Sequence, residues 1–146
     1  MEVQIHLKSL HPAQKQIVAE SKRFNLLKCG RRFGKTHLSE ELAIQPALDG
    51  YPVGYWTPTY KDVSKVWDAI KHTVHPIIKR KDEQLKQIHL ITGGSIDFWS
   101  MEDANSGRGF KYKRAIMDEC EKARNFEASW KQAIRPTLTD YLGDAW

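Results

Sequence analysis

Cysteine is scarce in this chain. The two residues, Cys29 and Cys120, lie far apart and form no C-x-x-C pair, which argues against a zinc site and a disulfide framework and for reduced thiols in a cytosol. Long apolar runs are lacking too. No stretch approaches the roughly 18 residues of a membrane span, and the charged N-terminus has no signal-peptide apolar core, so no membrane partner is expected and the expected compartment is the cytoplasm. Internal repeats and low-complexity tracts are missing. What remains, 146 residues with 40% hydrophobic and 28% charged, suits one soluble domain with a sizeable core. The formal net charge of +5 is compatible with a polyanionic partner but does not require one, and no expected helix shows the clustered basic face of a simple DNA-binding protein.

Against these absences stands Leu26-Leu27-Lys28-Cys29-Gly30-Arg31-Arg32-Phe33-Gly34-Lys35-Thr36. An apolar run enters a turn with two glycines, and Lys35-Thr36 opens a helical pattern. Glycines let the backbone close around a phosphate with N–H groups turned inward, the helix N-terminus adds a positive dipole, and Lys35 adds a full charge. The Thr36 hydroxyl suits Mg2+. The usual spacing, G-x-x-x-x-G-K-S/T, would place its first glycine at Cys29, so the match is the shorter Gly30-x-x-x-Gly34-Lys35-Thr36. Taken alone, that is also what a lysine opening a surface helix after a glycine turn would look like.

Upstream, residues 10–23 read as a helix with Pro12 at its first position and Ala13, Ile17 and Val18 on a short apolar face. Gln14 falls on the polar side, either solvated or functional. Phe24 to Cys29 reads as a buried strand. Residues 35–45 read as a helix that Pro46 stops or kinks, and Val53 to Trp56 as a second strand leading to Thr57-Pro58-Thr59, where loops of open α/β sheets meet ligands. Val63, Val66, Trp67, Ile70 and Val74 recur at helical spacing, so Trp67 is assigned to the core. Residues 79–83, mixed in charge, read as a solvated loop; 88–92 and 95–100, joined by Gly93-Gly94, read as a hairpin in which Trp99 is either exposed or core.

Ala104 to Phe110 reads as a flexible stretch with Arg108 between two glycines, either free to reach outward or simply solvated in an ordinary turn. A short apolar strand then ends in Asp118-Glu119. Beside the phosphate strand, Asp118 would lie at the carboxyl edge of the sheet, able to fix Mg2+ through water, with Glu119 able to polarise an attacking water. Asn125 reads as the N-cap of a helix carrying Phe126, Trp130, Ala133 and Ile134 on one face and ending at Arg135-Pro136.

This order of motifs resembles the N-terminal ATPase domain of large terminase subunits, the DNA-packaging motors of tailed bacteriophages. The resemblance rests on Cys29 to Thr36, Thr57-Pro58-Thr59, Ser106 to Phe110 shortly before Ile116 to Glu119, and Ala133 to Leu138. In that family the phosphate loop often departs from regular spacing and carries arginine after its first glycine. The resemblance implies an α/β fold of the P-loop NTPase (RecA/helicase-like, ASCE) kind, three-layered with a mainly parallel sheet. It implies one ATPase domain over residues 1–146, the N-terminal part of a longer protein without its nuclease domain. It further implies ATP and Mg2+ as cofactors, with Gly30, Arg31, Arg32, Phe33, Gly34, Lys35 and Thr36 around the phosphates, Gln14 at adenine, and Thr36 and Asp118 on the metal. Glu119 then orients water, Arg31 or Arg32 reaches the γ-phosphate, and Arg108 reaches a neighbour's nucleotide in a homo-oligomeric ring. The implied partners are double-stranded DNA, a small terminase subunit and a portal protein, in the host cytoplasm.

In this fold class the strand after the Asp-Glu strand inserts between it and the phosphate-loop strand, and the resemblance places that strand just beyond Trp146. The chain is therefore expected to be truncated, with a sheet incomplete at its C-terminus, and to turn over ATP far more slowly than a version longer by ~40 residues, about one βα unit. Two other readings compete. A superfamily-2 helicase or translocase shares the Asp118-Glu-Cys-Glu121 pattern and an upstream glutamine, and a non-catalytic nucleotide-binding assembly module would bind ATP without turnover.

Overall fold

The computed structural model describes residues 3–30 and 33–146. Within them the short apolar runs become β1 (Pro52–Thr57), β2 (Ile78–Asp82), β3 (Gln87–Leu90), β4 (Ser95–Ser100), β5 (Arg114–Met117) and β6 (Asp144–Ala145), in one sheet of order β2-β3-β4-β1-β5-β6. β1 pairs in parallel with both β4 and β5, and β5 in parallel with β6, while β2, β3 and β4 form an antiparallel meander. Successive side chains of a strand point to opposite faces, so the sheet divides the core in two. Val53, Tyr55, Ile96, Phe98, Ile116 and Trp146 face one layer, against α2 (Lys35–Leu48) and α3 (Tyr60–Val74). Trp56, Ala115 and Ala145 face the other, against Ile134 and Leu138. The result is a three-layer α/β/α domain with a mostly parallel sheet.

Helix α3 follows its apolar spacing, with Trp67 buried against Phe98, and starts at Thr59, whose hydroxyl accepts from the Asp62 N–H. The hairpin is present, but its connection runs from Ile91 to Gly94 and is fixed by the Thr92 hydroxyl donating to the Ala47 carbonyl at 2.6 Å. Trp99 lies between the two environments expected for it, half-buried, its indole N–H donating to the Tyr112 hydroxyl at 2.9 Å.

Several segments depart from the sequence expectation. The run from Phe24 to Cys29 is not a buried strand: Phe24 alone makes a parallel bridge, to Ala145, and Leu26 is 90% exposed. Its exposure alternates, because it meets the sheet beside the short β6 and only Leu27 of the pair Leu26-Leu27 packs on the core. The place expected of a strand beyond Trp146, between β5 and that run, is already taken by β6, with N–H groups of Ala145 and Asn25 bonded to Arg23 and Ala145 carbonyls. Lys79 to Lys81 belong to β2 rather than to a loop; β2 is the sheet edge, where exposed lysines are a usual guard against further pairing. Helix α2 runs past Pro46 to Leu48. Proline removes the N–H that would bond Leu42, and the Arg114 guanidinium supplies the missing donor at 3.0 Å. Finally α4 (Phe126–Ser129) continues through a wider π turn (Trp130–Ile134) and a 3-10 turn (Arg135–Leu138), past Pro136, and Asn125 makes no side-chain cap.

Candidate active site

Gly34, at the head of α2, has a φ of +84°, the left-handed conformation that glycine adopts freely. A Cβ there would stand 2.7 Å from the amide nitrogen of Gln14. Gln14, on α1 (Pro12–Ala19), is 1% exposed and is neither solvated nor idle. Its Nε2 donates to the carbonyls of Gly34 (3.0 Å) and Phe33 (3.3 Å), and its Oε1 accepts from the His11 N–H at 2.9 Å. His11 completes the clamp: Nδ1 accepts from the Gln14 N–H, Nε2 donates to the Phe33 carbonyl at 2.7 Å, and the rings of His11 and Phe33 meet edge-on at 5.0 Å. The first turn of α1 thereby holds the end of the loop, and Lys35 and Thr36 open α2 directly beyond it.

Across the cleft, β5 delivers Asp118 and Glu119 to the carboxyl edge of the sheet. A cleft of about 210 Å3 is lined by Thr36 and Glu40 of α2, Thr57 at the end of β1 and Pro58 after it, Asp62 and Lys65 of α3, and Asp118 and Glu119. Burial pushes the Asp118 carboxyl up from its ordinary range; the Tyr55 hydroxyl, donating to Oδ2 at 3.2 Å, and Lys35 pull it back, while Glu119 opposes them. Burial likewise raises Glu40. Glu119 sits at φ +51°, a left-handed conformation costing about 1–3 kcal/mol outside glycine, and its Oε1 accepts from Lys122 Nζ at 3.1 Å. Among the described residues no three His, Cys, Asp or Glu converge as a metal cage. The Thr36 hydroxyl and the Asp118 carboxylate, on one cleft, fit Mg2+, which takes hard oxygen ligands and usually keeps waters and substrate phosphates as the others.

Arg108 is elsewhere. Its segment is a pair of successive turns rather than a slack loop, with the Arg108 N–H on the Asn105 carbonyl and the Phe110 N–H on Gly107. The Trp56 indole N–H donates to the Ser106 carbonyl at 3.0 Å, and at the far end the Tyr112 hydroxyl donates to the buried Asp97 at 2.6 Å. Arg108 is exposed and lines a second cavity of about 520 Å3, shared with Tyr60, Lys86 and Trp99 and separate from the carboxylate cleft.

Residues 26–138 match the family described as terminase large subunit, T4likevirus-type, N-terminal. The chain belongs to this family of large terminases. Solved structures carry the same fold. The ATPase domain of the Thermus phage P74-26 large terminase superposes with a TM-score of 0.75 at 18% identity, over 92% of this chain and 62% of that one, as does an arginine-to-alanine variant of that domain. The HK97 bacteriophage large terminase gives 0.75 at 16% identity, over 94% of this chain and 32% of that one. This chain thus spans less than two thirds of the length of those structures. No curated protein matches it significantly in sequence.

Of the residues expected at a terminase site, the structure brings Thr36, Asp118 and Glu119 to one cleft and Gln14, Phe33 and Gly34 to one clamp, and it leaves Arg108 apart. Arg31 and Arg32 lie outside the described residues. Sequence reading missed His11, Glu40, Tyr55 and Lys122. Of these, only Glu40 carried a usable signal, since four residues beyond Thr36 on a helix is the same face.

Proposed function

We propose that this chain is an ATPase whose hydrolysis of ATP moves double-stranded DNA into a viral capsid, residues 1–146 acting as one catalytic unit. The observation carrying this reading is the shared cleft of Thr36, at the head of the phosphate helix, with Asp118 and Glu119.

In this mechanism the α2 N-terminus and Lys35 hold the phosphates, together with the backbone of Gly30 to Gly34, and Arg31 or Arg32 faces the γ-phosphoryl oxygens. Thr36 and Asp118 would hold Mg2+, which would supply positive charge to neutralise the phosphates. Glu119 orients a water and draws its proton while the water oxygen attacks γ-phosphorus in line; the bond to the bridging oxygen breaks and ADP leaves with phosphate as the second product. Lys122 occupies one Glu119 oxygen and leaves the other for that water. Gln14 fixes the loop and stands on the adenine side. In this reading Arg108 reaches a neighbouring subunit's nucleotide in a homo-oligomeric ring, which its exposure and distance from its own chain's carboxylates support, and such a finger is worth ~10³–10⁵ in rate. The small terminase subunit and portal protein complete the assembly, in the host cytoplasm.

The test is nucleotide binding and turnover by the chain in Mg2+. Lys35→Ala should abolish binding of a fluorescent ATP analogue, and Glu119→Gln should keep binding while losing at least 100-fold in turnover, within the range of a general base. Wild-type binding by Lys35→Ala would refute the phosphate site. Nucleotide binding without turnover, unchanged by substitution of Glu119, would favour the non-catalytic assembly module.

A further inference from the structure

The structure assigns Tyr55 as the positioning residue of Asp118: its hydroxyl fixes the rotation of the carboxylate so that one oxygen is presented to the metal. This rests on the metal-holding role proposed above for Asp118. Tyr55 lies mid-strand in β1, is 0% exposed, and packs against Phe98 with ring centroids 6.0 Å apart. A phenylalanine would satisfy that packing. A buried hydroxyl is costly unless bonded, so its partner shows what the oxygen is for. Tyr55 pairs with Ile116 across the parallel ladder, and Asp118 is two residues on, on the same face of the sheet. Two residues of strand rise about 6.6 Å, a gap that a phenol leaning along the strand covers. The hydroxyl thereby donates to Asp118 Oδ2 at 3.2 Å, while Oδ1 makes no hydrogen bond with the described residues. The Asp118 N–H bonds the Trp56 carbonyl at 3.0 Å, so backbone and side chain are both tied to β1. The phenol is locked between sheet and helices and cannot follow a rotating carboxylate, which makes it a fixed reference for the carboxylate rather than another mobile ligand.

The experiment is a Mg2+ titration of fluorescent ATP analogue binding, on the full chain, with wild type, Tyr55→Phe, Asp118→Ala and the double variant. Tyr55→Phe should raise the Mg2+ midpoint three- to tenfold and leave affinity without Mg2+ unchanged. In the Asp118→Ala background the same change should have no further effect. A midpoint within twofold of wild type, or an equal effect in both backgrounds, would overturn the assignment, the second outcome meaning that the ring acts through packing. If Asp118→Ala itself leaves the Mg2+ dependence intact, the metal-site reading fails instead, so the two failures are told apart.

Discussion

Arg114 and Asp144 form a two-pronged ion pair, Nε to Oδ1 at 2.7 Å and Nη2 to Oδ2 at 2.9 Å, that stitches β6 to β5. The third guanidinium nitrogen takes the Leu42 carbonyl, left without its helical partner by Pro46, and the cation lies 5.7 Å from the Trp146 ring. One side chain therefore joins β6, β5 and helix α2, and of these β5 leads to, and α2 carries, residues that line the cleft.

Breaking this buckle should be costly. Both side chains are mostly buried, at 18% and 26% exposure, so truncating either strands a charge, and Asp144→Ala is expected to lose about 2–3 kcal/mol in urea unfolding. Arg114→Lys keeps the charge but cannot span Asp144 and Leu42 together, and should lose about half as much. If Arg114→Lys matches wild type, the fork geometry is irrelevant and only the charge counts.

The two loop glycines should respond differently to alanine. At Gly34 the left-handed φ of +84° and the Gln14 amide 2.7 Å from a new Cβ both oppose it, for an expected loss of about 2 kcal/mol. At Gly30 nothing among the described residues lies within 4 Å of such a Cβ, so Gly30→Ala should stay within about 0.5 kcal/mol in the absence of nucleotide. Denaturant midpoints of the two variants check this directly, and similar losses would show that the strain at Gly34 is relieved elsewhere.

These contrasts show where sequence reading worked and where it stopped. Helix α3, strand β1 and the Asp118-Glu119 strand end were legible because their apolar spacing has one structural solution. The Phe24 to Cys29 run was not, since a short apolar run looks the same in the middle of a sheet as at its margin. Lys79 to Lys81 misled for the converse reason: an edge strand guarded by charge reads as a loop. Contacts between distant segments, such as Gln14 with Gly34, Arg114 with Leu42 and Tyr55 with Asp118, leave no local pattern, and the sequence has no means of announcing them.

Gln14 offers a sharper test of the loop clamp than simple removal. Gln14→Ala withdraws one donor shared by two carbonyls and should cost about 1–2 kcal/mol with weaker nucleotide binding. Gln14→Glu keeps the shape but turns an acceptor toward the Phe33 and Gly34 carbonyls, so it should be worse than alanine at pH 8 and recover as the carboxyl is protonated. Nucleotide titrations of both variants across pH decide it; a Gln14→Glu chain that binds better than Gln14→Ala at pH 8 would contradict the donor role.

Buried carboxyls should give the fold a characteristic pH dependence. Burial is the largest influence raising Glu40, Asp97 and Asp118, and at Asp97 it outweighs the Tyr112 hydroxyl and His89, which act the other way. A folded-state value above the unfolded one means that, between the two, the native chain holds more protons than the unfolded chain. Stability from these groups is therefore fully present below the ordinary carboxylate range and is lost as pH rises through their raised values. Asp97 is the clearest probe, since it is 6% exposed and lies on the sheet face opposite α2. Asp97→Asn removes the titration while its amide oxygen can still accept from Tyr112. The difference in unfolding free energy between variant and wild type should move in the variant's favour from pH 4 to pH 7, and urea midpoints at several pH values measure it. A constant difference across that range would mean that Asp97 carries the same charge in the folded and unfolded chain, and that its burial is fully offset by the Tyr112 hydroxyl and His89.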